Sequence, residues 1–269
     1  AVSVMFKPAS SLCNMRCEYC FYHSLAEQRE VPFKGMMTEE LFAIAMRGIF
    51  AYADGAPVSI SFQGGEPLLA GKEFFRAAEK ILGETDTKGS PLFVGVQTYR
   101  VYDGGKPAFG STLAAVELMK KRGVEFNILA VLTRRSAERI DCIYAFFKRQ
   151  GFKHLQFIPV LRPFGDEGGD MYLTGDIYGR YLCRLFDLYK RDMIRGEYVS
   201  VRQLDNFVAL ANMRPAEQCG MRGGCSRQLV IEGDGSAYPC DFYCVDEYLL
   251  GNIASDGVAE LFASPAAAR

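Results

Sequence analysis

Three cysteines on one short loop, Cys13, Cys17 and Cys20, stand at C-x3-C-x2-C spacing within Cys13-Asn-Met-Arg-Cys17-Glu-Tyr-Cys20. Thiolates of this kind hold iron or zinc, and a [4Fe–4S] cluster ordinarily takes four of them. Three leave one iron without a protein ligand, and an open position on a metal is where a small molecule binds. A zinc knuckle is the alternative use of such a loop. Zinc commonly recruits paired C-x2-C units and a suitably spaced histidine, which neither His23 nor His154 offers, although His23 lies close to the loop. A second group, Cys219, Cys225 and Cys240, lies far along the chain, with Cys244 beyond it. Between the groups, Gln63-Gly64-Gly65-Glu66-Pro67 joins two glycines, which let backbone approach a ligand, to a carboxylate able to accept hydrogen bonds from an ammonium. Taken alone, that run is also a plain turn.

The elements that must position these groups alternate. Val2 to Pro8 reads as a strand that ends at the cysteine loop. Thr38 followed by Glu39 and Glu40 caps a helix running through Leu41, Ile44, Ala45 and Ile49. Strands are expected at Val58 to Phe62, Phe93 to Gln97, Phe126 to Leu132 and His154 to Leu161, with helices at Lys72 to Leu82, Ser111 to Arg122, Ser136 to Gln150 and Tyr178 to Met193. Strand and helix in alternation imply an α/β fold with a parallel sheet. If the sheet curves into a barrel, chemistry belongs at the strands' C-terminal ends. The cysteine loop follows the first strand and Gly-Gly-Glu follows the second.

The rhythm breaks at Thr98-Tyr99, where no helix follows the third strand, so residues are expected to be missing between 98 and 99. Further on, Gly233-Asp234-Gly235 favours a hairpin between Gln228 to Ile231 and Ala237 to Tyr238. Such a hairpin folds Cys225 and Cys240 toward each other. With Cys219 they make three ligands of a second cluster, or alternatively a zinc ribbon. Cys244 is either a ligand or a bystander. Cys142 and Cys183 fall within helical patterns and read as core thiols.

Composition narrows the class. A chain of 269 residues can bury a large core, and its net charge of −1 gives no footprint for nucleic acid or an anionic membrane. No apolar stretch has the length of a membrane span, and residues 1 to 7 lack the features of a secretory leader. Nine cysteines in two uneven groups suit metal sites in a reducing cytoplasm better than a disulfide scaffold.

The first cysteine loop, with Phe21 directly after it, resembles the radical S-adenosylmethionine (SAM) signature. That resemblance implies a [4Fe–4S] cluster with SAM on its open iron, and a partial (β/α)6 TIM-like barrel over residues 1–212. Gln63, Gly64, Gly65 and Glu66 then resemble the SAM-binding G-G-E motif, with Glu66 on the SAM amino group. Gly235 and Cys240 resemble the G-x4-C of the SPASM extension, which implies one or two auxiliary [4Fe–4S] clusters within residues 213–269. A further cysteine run of that extension is not found, so the extension reads as incomplete.

Lys7-Pro8-Ala9-Ser10-Ser11, Cys20-Phe21-Tyr22-His23-Ser24-Leu25, Gln63 to Pro67 and Tyr238-Pro239-Cys240-Asp241-Phe242-Tyr243 together resemble anaerobic sulfatase-maturating enzymes. The resemblance implies oxidation of a peptidyl Cys or Ser to Cα-formylglycine by a 5′-deoxyadenosyl radical. It implies Asp241 as general base, Arg100 and Leu161 as SAM contacts, and Tyr22 along the substrate path. The implied partners are an unfolded or nascent sulfatase peptide of C-x-P-x-R or S-x-P-x-R type and a reducing donor such as flavodoxin or ferredoxin. Two other functions fit part of this pattern: formation of a thioether or carbon–carbon crosslink in a peptide, and a non-catalytic iron–sulfur or zinc scaffold.

Overall fold

The computed structural model describes residues 1–15, 17–96, 109–162, 168–225 and 227–268. In chain order the elements are β1 (Val2–Phe6), α1 (Phe21–Glu27), α2 (Glu39–Ala53), β2 (Val58–Phe62), α3 (Gly71–Glu84), β3 (Leu92–Val96), α4 (Phe109–Lys121), β4 (Ile128–Leu132), α5 (Arg134–Glu138), α6 (Ile140–Arg149), β5 (His154–Pro159), α7 (Gly175–Ile194), β6 (Ser200–Val201), α8 (Arg202–Ala211), β7 (Gln228–Ile231), β8 (Ser236–Tyr238), β9 (Gly251–Asn252) and α9 (Val258–Ala263). They form two compact units, one of Ala1–Gly110 with Arg227–Arg269 and one of Ser111–Ser226.

The first unit is built on a sheet of order β3-β2-β1-β7-β8-β9. Strands β3, β2, β1 and β7 run parallel, and β8 and β9 return antiparallel. Alternation sets the faces: Val2, Val4 and Phe6 are buried while Ser3 is exposed, and β2 repeats the pattern with Val58, Ile60 and Phe62. Helix α2 lays Phe42, Ala45, Met46, Ile49 and Phe50 on this face at helical spacing. The rings of Phe6, Phe62 and Phe74 gather around Phe42 at centroid distances of 4.9, 5.9 and 5.9 Å. Each such ring contributes about 1.5–3 kcal/mol by leaving water. Thr38 accepts the Leu41 N–H with its hydroxyl, and Glu39 and Glu40 fill the first turn, as the cap reading expects. The hairpin also forms, with Val230 opposite Tyr238 and Gly235 in the left-handed region at φ +87°.

The second unit carries the parallel sheet β4-β5-β6 under α6 and α7. Here the structure corrects two readings. The helix expected at Ser136 to Gln150 is two helices, because Arg139 leaves helical geometry at φ −112° after a short α5 capped by Thr133. Cys142 and Cys183 are exposed rather than in the core. The buried face of α6 passes through Ile140 and Tyr144, and that of α7 through Ile177, Tyr181, Leu185 and Leu188. Both cysteines fall between those stripes. The expected break at Thr98-Tyr99 lies outside the described residues. Among those described, no helix is long and apolar enough to cross a membrane.

Candidate active site

Strand register brings the site together. Phe6 pairs with Phe62 on one side and with Ile231 on the other. The next residue of each strand therefore emerges at the same edge: Lys7, Gln63 and Glu232. This is the C-terminal end of the parallel strands, where loops rather than packing decide the chemistry.

The cysteine loop and the Gly-Gly-Glu turn are joined main chain to main chain at this edge. Gly65 N–H donates to the Ser10 carbonyl at 2.9 Å and Glu66 N–H to the Leu12 carbonyl at 2.8 Å. Such approach requires glycine: a Cβ on Gly65 would stand 2.0 Å from the Leu12 oxygen. Gly64, at φ +95°, lies against the Lys7 stem, whose Cγ a Cβ would meet at 2.7 Å. The Glu66 carboxylate is buried and accepts the Leu68 N–H through Oε1 at 3.1 Å, which fixes its rotamer at the start of a 3-10 turn.

Two of the loop thiols, Cys13 and Cys20, are raised above the ordinary thiol value. Burial raises the Cys13 thiol, and Cys20, Glu66 and Cys17 raise it further. Burial also raises Cys20, which Cys17 raises and Lys7 lowers. Like charges resisting one another at a carboxylate-bearing turn are what a cationic group would relieve. Among the described residues, no group of three or more His, Cys, Asp or Glu side chains is closed around a single metal ion. The donor set of three thiols, beside a glycine-lined backbone and Glu66, fits a larger iron–sulfur cluster and a ligand with an ammonium group. Cys13, Cys17 and Cys20 could hold the cluster, and Gly64, Gly65 and Glu66 the ligand.

Asp241 sits behind them, 6% exposed, at the turn after β8. Both of its oxygens are held. Lys7 Nζ pairs with Oδ1, and Gln63 Nε2 donates to Oδ2 at 3.0 Å. Lys7 is wholly buried, and its ammonium lies 3.3 Å from the centroid of the Tyr22 ring. Burial works against that ammonium, but Asp241, Cys244 and Glu232 outweigh it, and the Lys7 pKa is raised. The Tyr22 hydroxyl donates to Glu232 Oε1 at 2.6 Å, and Arg29 Nη2 donates to the same oxygen at 2.9 Å. Two buried cations, Lys7 and Arg29, thus face two buried carboxylates, Asp241 and Glu232, and the charges cancel.

Gln63, Gly64, Gly65, Glu66, Asp241, Tyr22 and the first three cysteines are thus all carried by the first unit, as is Cys240. Tyr22 is buried at 5%, with its hydroxyl committed to Glu232. Cys244 is fully buried against Tyr22, Val230 and Tyr238, and its thiol donates to the Cys240 carbonyl at 3.5 Å. Its surroundings are those of a core thiol, and burial pushes its pKa up. Cys219 and Cys225 belong to the second unit and are exposed. Just before Cys219, the buried Asn206 accepts the Glu217 and Gln218 N–H groups at 2.5 and 3.0 Å and so pins that loop to α8. Leu161 follows β5 in the second unit and is 41% exposed. Arg100 lies outside the described residues. Sequence reading passed over Lys7, Arg29 and Glu232 as functional groups. The signal was present for two of them: Lys7 and Glu232 each directly follow an apolar strand, at the end where chemistry is expected.

The chain is similar to several known proteins. Residues 219–269 match the SPASM iron–sulfur cluster-binding domain. A cysteine-type anaerobic sulfatase-maturating enzyme of Clostridium perfringens is 37% identical over 97% of this chain and 80% of its own length. The aligned region runs to 296 residues against 269 here, so that relative carries residues with no counterpart in this chain. A serine-type anaerobic sulfatase-maturating enzyme of Bacteroides thetaiotaomicron is 27% identical over 97% of this chain and 74% of its own. The solved structure of native anSMEcpe with bound AdoMet superposes with a TM-score of 0.92 at 35% identity, covering 99% of this chain and 82% of that one. The same protein with AdoMet and a Cp18Cys peptide gives a TM-score of 0.90 at 34% identity, covering 98% and 81%. The expected α/β radical SAM fold, with an iron–sulfur extension at its C-terminal side, is the fold observed in that comparison.

Proposed function

This chain belongs to the family of anaerobic sulfatase-maturating enzymes, and from that premise we propose that it oxidises a peptidyl cysteine of a sulfatase to Cα-formylglycine, with Asp241 as the base. Cysteine rather than serine is supported by 37% identity to a cysteine-type relative against 27% to a serine-type one. When bound, SAM and the clusters supply a 5′-deoxyadenosyl radical that takes one hydrogen atom from the substrate Cβ, and an acceptor for the remaining electron.

The chain's own residues supply the rest. Cys13, Cys17 and Cys20 hold the first cluster. Glu66 receives the SAM ammonium while its backbone stays tied to the Leu12 carbonyl. The family resemblance assigns Cys219, Cys225 and Cys240 to an auxiliary cluster, Arg100 and Leu161 to SAM, and Tyr22 to the substrate path. Asp241 takes the S–H proton on its carboxylate, which leaves a thioaldehyde that water converts to the aldehyde. The substrate is a sulfatase segment of C-x-P-x-R type, and a flavodoxin or ferredoxin supplies electrons. The free thiols need a reducing compartment, which supports the cytoplasm.

The single observation that carries this reading is Asp241: a buried carboxylate, oriented through both oxygens by Lys7 and Gln63, which end the strands that lead into the cysteine loop and Gly-Gly-Glu. A general base needs that fixed position within reach of the proton it removes. The test is an anaerobic incubation of the reconstituted enzyme with SAM, dithionite and a C-x-P-x-R peptide, read by mass. An aldehyde product supports the reading. A crosslinked peptide two mass units lighter, without aldehyde, points to thioether or carbon–carbon bond formation instead.

A further inference from the structure

We propose that Lys7 is the positioning residue of the proton step: it fixes Oδ1 of Asp241 by a buried ion pair while Gln63 holds Oδ2, and it is itself held over the ring of Tyr22, which Glu232 orients. The inference deepens the assignment of Asp241 as base and rests on it.

The geometry differs at the two oxygens. Oδ1 meets a wholly buried ammonium on a stem that Gly64 confines from the side. The Lys7 N–H donates to the Ile231 carbonyl at 2.8 Å, so the residue is anchored at both ends. Oδ2 meets the amide of Gln63, a neutral donor. Each oxygen thus has a fixed donor of its own, and the carboxylate is held in one orientation.

A second contact holds the ammonium in place. The Tyr22 ring lies 3.3 Å below the ammonium, and Glu232 orients that ring through the 2.6 Å hydrogen bond from its hydroxyl. A ring face so placed attracts a desolvated cation. Tyr22 therefore has work in this step from its buried position.

The test is a double-mutant cycle on the cluster-loaded enzyme: Lys7→Met, Asp241→Asn and the two combined. The readout is aldehyde formed per 5′-deoxyadenosine released, with iron content and far-UV circular dichroism recorded for each variant. Lys7→Met is expected to lower the ratio at least tenfold and Asp241→Asn at least a hundredfold. The combined variant should be no lower than Asp241→Asn alone, because Lys7 acts through that carboxylate. A ratio within twofold of wild type for Lys7→Met overturns the inference. So does a combined variant that loses the full Lys7→Met factor on top of Asp241→Asn, since Lys7 would then act independently. Should Lys7→Met lose iron because Asp241 is buried without its cation, Lys7→Gln, which keeps a donor, takes its place with the same threshold. A normal ratio for Asp241→Asn overturns the base assignment itself. A crippled Asp241→Asn beside a normal Lys7 variant overturns only the role of Lys7.

Discussion

Replacing Gly65 by alanine tests whether the cysteine loop and the Gly-Gly-Glu turn form one structural piece. The new Cβ would lie 2.0 Å from the Leu12 oxygen, 2.7 Å from its carbonyl carbon and 3.0 Å from its nitrogen. These are backbone atoms, so no side chain can swing aside. The loop must move, and with it go the hydrogen bonds from Gly65 N–H to Ser10 and from Glu66 N–H to Leu12. Two such bonds are worth about 0.5–1.5 kcal/mol each. Forcing a methyl into a packed site costs about 1–3 kcal/mol more. At about 2–4 °C per kcal/mol for a protein approaching this size, the melting temperature should fall by roughly 4–24 °C. Gly83 is the control: it lies in α3, where a Cβ would meet nothing within 4 Å. Gly83→Ala should raise stability by up to about 1 kcal/mol, the helix propensity difference. Thermal unfolding of both variants, with iron content and SAM affinity of the loaded protein, reads the result. A Gly65→Ala protein that melts within about 2 °C of wild type, the shift expected for less than 1 kcal/mol, and binds SAM normally would refute the argument.

Glu66→Gln should weaken SAM binding by roughly tenfold to a hundredfold, because a charge-assisted hydrogen bond of about 1.5–3 kcal/mol becomes a neutral one; isothermal titration of the cluster-loaded protein measures it, and an unchanged Kd removes Glu66 from the site. Replacing Cys13, Cys17 and Cys20 together by Ala should abolish 5′-deoxyadenosine formation under dithionite while iron remains at the C-terminal cysteines, as iron analysis and chromatography would show. Asp192 tests the second unit. Burial raises its carboxyl, but Lys148 at 2.7 Å, Tyr144 and Arg191 lower it, and the net value lies below the ordinary 3.8. A carboxyl depressed on folding contributes stability that is present above its unfolded pKa and lost as pH falls through the folded one. The stability gap between wild type and Asp192→Asn in urea should therefore narrow as pH is lowered below 3.8; a gap independent of pH would contradict the pairing.

Much of the site was legible because its residues are adjacent to strand ends, and strand ends follow from apolar runs. Cys13, Cys17, Cys20 and Gln63 to Glu66 carry their chemistry in local spacing, so their grouping needed only the order of β1 and β2. Lys7 and Glu232 were not legible as partners of Asp241 and Tyr22. They are 234 and 210 residues from those partners, and only the pairing of β1 with β7 aligns them. Cys142 and Cys183 misled for the opposite reason. Each lies in a true helix, but apolar character does not say which face a small residue occupies, and the buried stripes ran through larger neighbours. The break at Arg139 was hidden because residues 134–142 contain no Gly or Pro, the residues that mark a helix end in sequence.

The central claim is that the radical takes a Cβ hydrogen and that Asp241 then takes the thiol proton, and one labelled substrate tests both. A C-x-P-x-R peptide deuterated at the cysteine Cβ is incubated anaerobically with SAM, dithionite and either the wild-type or the Asp241→Asn enzyme. The account expects wild type to give deuterated 5′-deoxyadenosine and one aldehyde for each. The Asp241→Asn enzyme should still give deuterated 5′-deoxyadenosine, with aldehyde reduced by about a hundredfold or more, the range for loss of a general base. Unlabelled 5′-deoxyadenosine from wild type would contradict Cβ as the site of attack. Full aldehyde yield from Asp241→Asn would contradict Asp241 as the base.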